Sequence, residues 1–472
     1  MIEIYPYYYE SFRCIADKCE DSCCAGWEID IDDDSYEKYM SVGDAIGEKL
    51  KASIRTYGTS SCDDTVTDDD MICGSMSDSS SSDDTMTDGD MDECLSEQKP
   101  YEKHGFILSD DMRCPFLDEK GLCELYRELG EASLCEVCTN TPRNFLEFMA
   151  EKACTTSQTS KPGFSESSAM QGGICVRQIS VSISCPEAAR LLFESPEKVY
   201  FIEKETSDEP MYEMDESESA LGGFLLEKQK EAIEILGDRE KSLHERIAMF
   251  MAHAEKVQNR LNLISAGDIS DIDISGDTIS DSLSAGADPD VPASGSQPSD
   301  EQELGNYPYF PDNYTSFLRR MEIFSGLASI GKPWSDIITA LYEDFVDAKT
   351  ETADINNTVS DHAAAAGRYK SAIHALYTHM EAAGRMYEYE HLLVYYAFLL
   401  LCRAIDDYDY LTRAKLVVAS FEMNRDMDAV IFYRKKEFDP HDRQVNSRIY
   451  AREIEHSEEN LADLSEELMF SN

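Results

Sequence analysis

The sequence predicts a mainly α protein: a cysteine-rich, metal-binding N-terminal region with few short strands, a helical C-terminal region, and disordered acidic inserts. Three observations carry this. Cysteines sit in dense local patterns as far as Cys185. From Leu221 onward, apolar residues recur at helical spacing, as in Leu225, Ile233, Leu236, Leu243, Ile247 and Phe250. Three intervening stretches are rich in Asp, Ser and Gly or otherwise polar, and cannot bury enough apolar surface to offset their ordering entropy.

The chain has 472 residues, long enough for two or three domains and a sizeable core. Its formal net charge is −52, with Asp+Glu 94 against Lys+Arg 42. That balance disfavours binding to nucleic acid or to an anionic membrane surface and suits a basic protein partner. Met1 to Tyr9 offers neither a basic nor an apolar signal region, so a cytoplasmic location is expected. The longest apolar run, Leu392 to Leu401, is shorter than the roughly 20 residues a membrane span needs, so no membrane insertion is expected. In such a compartment, fifteen cysteines read as thiolate ligands rather than disulfides.

In order, the first element is a cysteine nest, Cys14, Cys19, Cys23 and Cys24, followed by a short strand in Gly26–Asp32 and a helix over about Tyr36–Leu50. The first insert covers about 59–92. Cys62, Cys73 and Cys94 lie in or beside it and are poor ligand candidates. Arg113 to Gly130 is dense, with Cys114, a turn at Asp118–Gly121 and a helix from Cys123 to Leu129. Cys135-Glu-Val-Cys138 and Thr141-Pro-Arg143 come next, then a polar insert at about 155–173. Ser184-Cys185-Pro186 opens a helix, with proline in its first turn. These features define a cysteine-rich domain over 1–200 and a helical segment over 201–264. A linker over 265–304 leads to a helical domain over 305–472. Within that domain, helices are expected at about 311–330, 334–349, 362–384, 389–406, 410–425 and 445–467.

Nine cysteines have patterned surroundings: Cys14, Cys19, Cys23, Cys24, Cys114, Cys123, Cys135, Cys138 and Cys185. They are the candidate metal ligands; Cys154, Cys175 and Cys402 lack such a pattern. A Cys-x-x-Cys pair brings two sulfurs to one metal across a single turn. Soft thiolates select zinc, copper(I) or iron–sulfur clusters. A single Cys-x-x-Cys knuckle, where zinc sites commonly use two, shades the expectation toward a cluster. His374, His379 and His391 read as ordinary helix residues. Arg143 reads either as a carboxylate binder or as half of a structural ion pair.

Four motifs together resemble the flagellin lysine-N-methylase (FliB) family. They are Cys14-x4-Cys19-x3-Cys23-Cys24-x-Gly-Trp-x-Ile, the Cys-Pro-Phe-Leu-x4-Leu-Cys-x-Leu-Tyr-x-x-Leu-Gly of 114–130, the Cys-x-x-Cys-x3-Pro-Arg of 135–143 and the Ser-Cys-Pro-Glu-Ala-Ala-Arg of 184–190. The cysteine part is also similar to the broader YkgJ-type zinc- or iron-chelating domain. Tyr389 to Phe398, with Tyr408-Asp-Tyr410 beyond, resembles the family's helical half. The resemblance implies methyl transfer from S-adenosylmethionine to lysines of flagellin. It also implies an iron–sulfur cluster on the motif cysteines, of the 4Fe–4S type, with zinc as the alternative metal. The residues themselves contain no glycine-rich nucleotide loop and no Cys-x3-Cys-x2-Cys run, because Cys24 follows Cys23 directly. Ligands gathered from separate segments are therefore expected. A lysine ε-amine must be neutral to accept a methyl group by displacement, so a base or a desolvating pocket is also expected, with tyrosines available to line it. The rival reading is a non-enzymatic zinc- or cluster-binding protein serving interaction or redox sensing.

Overall fold

A computed structural model describes residues 1–22, 24–25, 29–58, 102–110, 112–151, 173–211, 218–265, 314–346 and 355–470. Apart from Gly173 and Ser265, the three expected inserts lie outside the described residues.

The first half of the chain mixes strands and short helices. In order these are β1 (Ile2–Pro6), β2 (Asp30–Ile31), α1 (Asp33–Ser41), α2 (Ala45–Ser53), β3 (Ile54–Gly58), β4 (Glu102–Phe106), α3 (Glu124–Leu129), α4 (Glu136–Asn140), β5 (Arg143–Ala150), β6 (Ile174–Val181), α5 (Pro186–Glu194) and β7 (Phe201–Glu205). The second half is helical: α6 (Ser219–Leu236), α7 (Leu243–Ser265), α8 (Tyr314–Gly326), α9 (Lys332–Phe345), α10 (Ile355–Ala382), α11 (Tyr387–Leu400), α12 (Tyr410–Lys435), α13 (Pro440–Glu455) and α14 (Glu458–Met469). The class is mainly α, as expected. No helix among the described residues is long and apolar enough to cross a membrane.

Capping residues divide helices where the periodicity ran on. The helix expected over Tyr36–Leu50 is two, because Asp32 accepts from Ser35 N to start α1 and Asp44 accepts from Gly47 N to start α2. The pattern from Leu221 to Leu263 is likewise α6 and α7. The stretch 445–467 divides at Ser457, whose hydroxyl accepts from Asn460 N and caps α14. Conversely, α12 runs past the expected end at Arg425 and stops at Lys436, which takes a left-handed conformation at φ 62.

The described residues form two compact units. The larger comprises 1–27, 120–122 and 140–472; the smaller comprises 28–119 and 123–139. The larger unit holds a sheet in the order β5-β6-β1-β7. Strands β1 and β6 run parallel, with Ile2 opposite Val176, while β5 and β7 are antiparallel to their neighbours. Helix α6 lies on β5 at very short range: a Cβ on Gly222 would stand 1.9 Å from the Met149 carbonyl oxygen. Only glycine permits that approach.

Helix α12 runs through the interior of the larger unit, and its residues from Leu416 to Val430 are buried. Its acidic side chains are met by guanidinium groups. Arg320 bonds Glu422 at 2.9 Å and Asp426 at 2.7 Å, and Arg425 bonds Asp426 at 3.0 Å. The Tyr369 hydroxyl donates to Asp426 at 2.8 Å. Arg443 of α13 pairs with Asp428 and lies 3.4 Å from Glu388 of α11.

The smaller unit carries an antiparallel sheet in the order β2-β4-β3. Its core includes Tyr39, Leu50, Phe106, Phe116 and Leu125. His104 stacks on Tyr36 with ring centroids 3.5 Å apart and bonds Thr56 at 3.0 Å.

Candidate functional site

The nine candidate ligands divide between the two units. Cys114, Cys123, Cys135 and Cys138 belong to the smaller; Cys14, Cys19, Cys24 and Cys185 belong to the larger. Cys23 lies outside the described residues, as do Cys62, Cys73, Cys94 and Cys154.

In the smaller unit, the turn expected at Asp118–Gly121 is closed by a bridge between Leu117 and Cys123, and Gly121 supplies its φ of 75. Leu117 N donates to the Cys114 carbonyl at 3.1 Å, so Cys114 and Cys123 flank one tight loop. Cys123 is the N-cap of α3. Asp32 ties the next segment down by accepting from Glu136 N at 2.8 Å. The Cys135 thiol is fully buried and donates to the Asp30 carbonyl at 3.6 Å. Its contact with Cys138 holds it below the ordinary thiol value against the opposing pull of burial. Burial pushes Cys114 up to about 11, and Cys123 and Cys135 are near enough to add to the shift. Tyr39 is raised by burial and then by Cys135 and Cys138; its hydroxyl donates to the Ser133 carbonyl at 2.7 Å.

The donor chemistry of this group, four thiols around one small core, fits a soft metal or an iron–sulfur cluster. As they stand, no three Cys, His, Asp or Glu side chains among the described residues are arranged to hold a metal ion. The described cysteines form no disulfide.

In the larger unit, the N-terminal nest is fastened to α13. Asp21 meets Arg448 and Arg452 at 3.0 Å each, Glu20 pairs with Arg448, and the Ser22 carbonyl accepts from Arg452 at 3.3 Å. Burial would raise Asp21, but Arg452, the Ser22 N–H and Arg448 together hold it below its ordinary value. Cys14 is exposed, while Cys19 is half-buried and raised chiefly by that burial. Cys185 is the N-cap of α5 with Pro186 at the first helical position, as the sequence predicts. The Arg143 guanidinium lies 5.4 Å from the centre of the Phe12 ring. His391 is a buried helix residue, with ring nitrogens 2.7 Å and 2.8 Å from the carbonyls of Leu192 and Glu197. Cys175 and Cys402 are buried in the core, consistent with their plain sequence surroundings.

Residues not singled out as site candidates by the sequence gather between β6 and α5 and at the end of α13. Ser184 Oγ lies 2.8 Å from Ser182 Oγ and 3.0 Å from His456 Nε2. Burial, with Arg452 assisting, lowers His456 to about 4, so its ring is neutral near pH 7. Glu455, the last residue of α13, accepts from the Tyr395 hydroxyl at 3.0 Å and 3.1 Å. Ser182 and Tyr396 also border this carboxylate. Burial raises Glu455 to about 7. Sequence reasoning missed this group. A weak signal existed: a carboxylate in the last turn of a helix opposes the helix dipole.

The family model of the FliB lysine N-methylase C-terminal domain matches residues 229–472, a little over half of the chain. The chain belongs to the FliB lysine N-methylase family. The match takes in α7 to α14 and the C-terminal part of α6, and hence Tyr395, Glu455 and His456. Among curated proteins, the chain is 23% identical over 201 residues to the flagellar biosynthetic protein FliU of Salmonella muenchen, covering 43% of this chain and 82% of that protein. It is also 23% identical over 201 residues to lysine-N-methylases of Salmonella typhimurium and Salmonella choleraesuis. That alignment covers 42% of this chain and 34% of each of them, so the match spans about a third of those enzymes. No solved structure shows a significant match.

Proposed function

We propose that this FliB-family protein is an S-adenosylmethionine-dependent protein-lysine N-methyltransferase acting on flagellin, with an iron–sulfur cluster held by its motif cysteines. Membership of the family, through residues 229–472, is the observation that carries the reading. Cys114, Cys123, Cys135 and Cys138 are the first candidates to hold the cluster, and Cys14, Cys19, Cys23, Cys24 and Cys185 the second set. S-adenosylmethionine would supply the methyl group as an electrophilic carbon on a sulfonium. The protein must then present a lysine amine with its proton removed and water kept away. The net charge of −52 suits a lysine-bearing partner.

Co-expression with flagellin, followed by mass spectrometry of flagellin lysines, tests the reading. Methylated lysines are expected, and unmodified flagellin in the presence of cofactor and intact cluster would defeat it. The metal is tested on the anaerobically purified chain. A brown protein with thiolate-to-iron absorption is expected, and Cys135→Ala with Cys138→Ala should abolish the colour. A colourless protein with stoichiometric zinc would favour the rival reading, a structural or sensing metal site, which the self-contained thiol group of the smaller unit also suits.

A further inference from the structure

Glu455 differs from every other buried carboxylate on α11, α12 and α13. Glu388 is paired with Arg385 at 2.7 Å and Glu390 with Arg239 and Arg246 at 2.8 Å and 2.9 Å. Glu422 and Asp426 share Arg320, and Asp428 has Arg443. Glu453 accepts from the backbone N–H groups of Ile330 and Gly331 at 2.7 Å and 3.1 Å. Among the described residues, Glu455 has no cation and no backbone donor; the Tyr395 phenol donates to it at 3.0 Å and 3.1 Å, with the Ser182 and Tyr396 hydroxyls beside it. A desolvated carboxylate without a counter-charge is costly, so such a group is retained where a cation arrives from outside or where the proton itself is used.

The surroundings suit an ammonium. Tyr395 and Tyr396 meet edge to face with centroids 4.9 Å apart, and Tyr8 is an electrostatic neighbour of the same carboxylate. All three rings are buried. The Tyr396 hydroxyl is buried without a hydrogen-bond partner, beside Glu455 but outside bonding geometry. Glu455 itself remains partly open to solvent. The charged groups around α13's end are already engaged: Arg452 with Asp21, and His456, neutral, with Ser184. A carboxylate beside tyrosine rings attracts ammonium and methylammonium groups by charge, and the rings can add cation–π attraction.

We propose that Glu455, framed by Tyr8, Tyr395 and Tyr396, receives the ε-ammonium of the substrate lysine and takes its proton. The inference rests on the methyltransferase reading and adds to it the acceptor site that the sequence left unplaced. In this step one Nζ–H bond breaks, the proton passes to a Glu455 carboxylate oxygen, and the electron pair remains on nitrogen, free to take the methyl group from the sulfonium donor. No oxidant or reductant is involved. The raised value of Glu455 matches a base working near neutrality.

The test uses the full chain and Nα-acetyl-lysine methylamide, with the norleucine analogue as the uncharged control. By calorimetry, lysine-amide affinity should rise about tenfold between about pH 6 and pH 8 as the carboxylate ionises. Glu455→Gln should lose that rise and bind the norleucine control as the wild type does. Tyr395→Phe keeps the carboxylate and should keep binding, with its midpoint moved to higher pH, because a donor to the ionised form is lost. Equal lysine-amide binding by wild type and Glu455→Gln at about pH 8 would overturn the proposal. In methyl transfer, Glu455→Gln should lose about a hundredfold near pH 7.5 and recover to within about tenfold near pH 10.5, where the lysine is neutral unaided. If the wild type binds lysine through Glu455 but methylates no flagellin lysine, the methyltransferase reading fails and the ammonium site stands. If Glu455→Gln methylates as fast as the wild type near pH 7.5, the base role fails and the methyltransferase stands.

Discussion

The two units treat buried polar chemistry in different ways. In the larger unit, buried charge on α11 and α12 is matched inside the fold, guanidinium against carboxylate, and a phenol such as Tyr369 takes up remaining capacity. In the smaller unit, the core holds the thiols of Cys114 and Cys135 beside hydrogen-bonded His104 and Tyr39; a thiol costs little to bury and bonds weakly. A charge-matched network fixes a structure, whereas a thiol group, like the carboxylate of Glu455, has no counter-charge among the described residues.

The comparison is broken most severely by removing one side of a matched pair. Arg320→Met leaves the buried Glu422 and Asp426 with Arg425 as their one remaining cation among the described residues and should cost about 3–5 kcal/mol, seen as loss of soluble protein or a lower urea midpoint. A purely steric change in the same unit should cost less. Gly222→Ala forces α6 off β5 and should destabilise by about 1–3 kcal/mol in the same measurement.

A smaller effect of opposite sign is expected at Glu455. Its value rises from the ordinary 4.5 to about 7 on folding, so between these limits the folded chain holds a proton that the unfolded chain has released. Stability contributed by this group is therefore present at acid pH and lost as pH rises through about 7. Glu455→Gln should melt higher than the wild type at about pH 8 and level with it near pH 4.5. Discounted for the solvent that reaches the carboxyl, the difference at pH 8 is ~1 kcal/mol. An unchanged melting difference across that range would show that Glu455 carries no unmatched charge. Least affected should be an exposed pair: Lys332→Ala removes a bond to Asp336 and should change stability by less than ~0.5 kcal/mol.

Much of the helical half is legible from apolar spacing alone, and Cys185-Pro186 marks the start of α5 by its chemistry. The breaks at Asp44 and Ser457 follow from side chains that cap, a signal present in the sequence but overridden by periodicity when only apolar residues are followed. Strands β5 and β6 are less legible. β6 is buried on almost every residue, so it shows no alternation, and it lies between β1 at the start of the chain and β5. The candidate thiols stand out in the sequence because the cysteines fall in dense patterns. Glu455, His456 and Ser182 could not, because each is an ordinary residue in its own segment and comes together with Ser184 and Tyr395 only when three segments meet.

By itself, the sequence determined the helical class, the acidic character and the nine patterned cysteines, because composition and periodicity act locally. Only the tertiary structure decided that the first 27 residues join the C-terminal helices in one unit while Cys114, Cys123, Cys135 and Cys138 gather in another. It also decided which carboxylates of α11, α12 and α13 meet a cation or a backbone donor among the described residues, and that Glu455 meets neither. Counter-charge is a matter of distance in space, and residues such as Glu455 and Tyr395, sixty positions apart, meet only when the chain has packed.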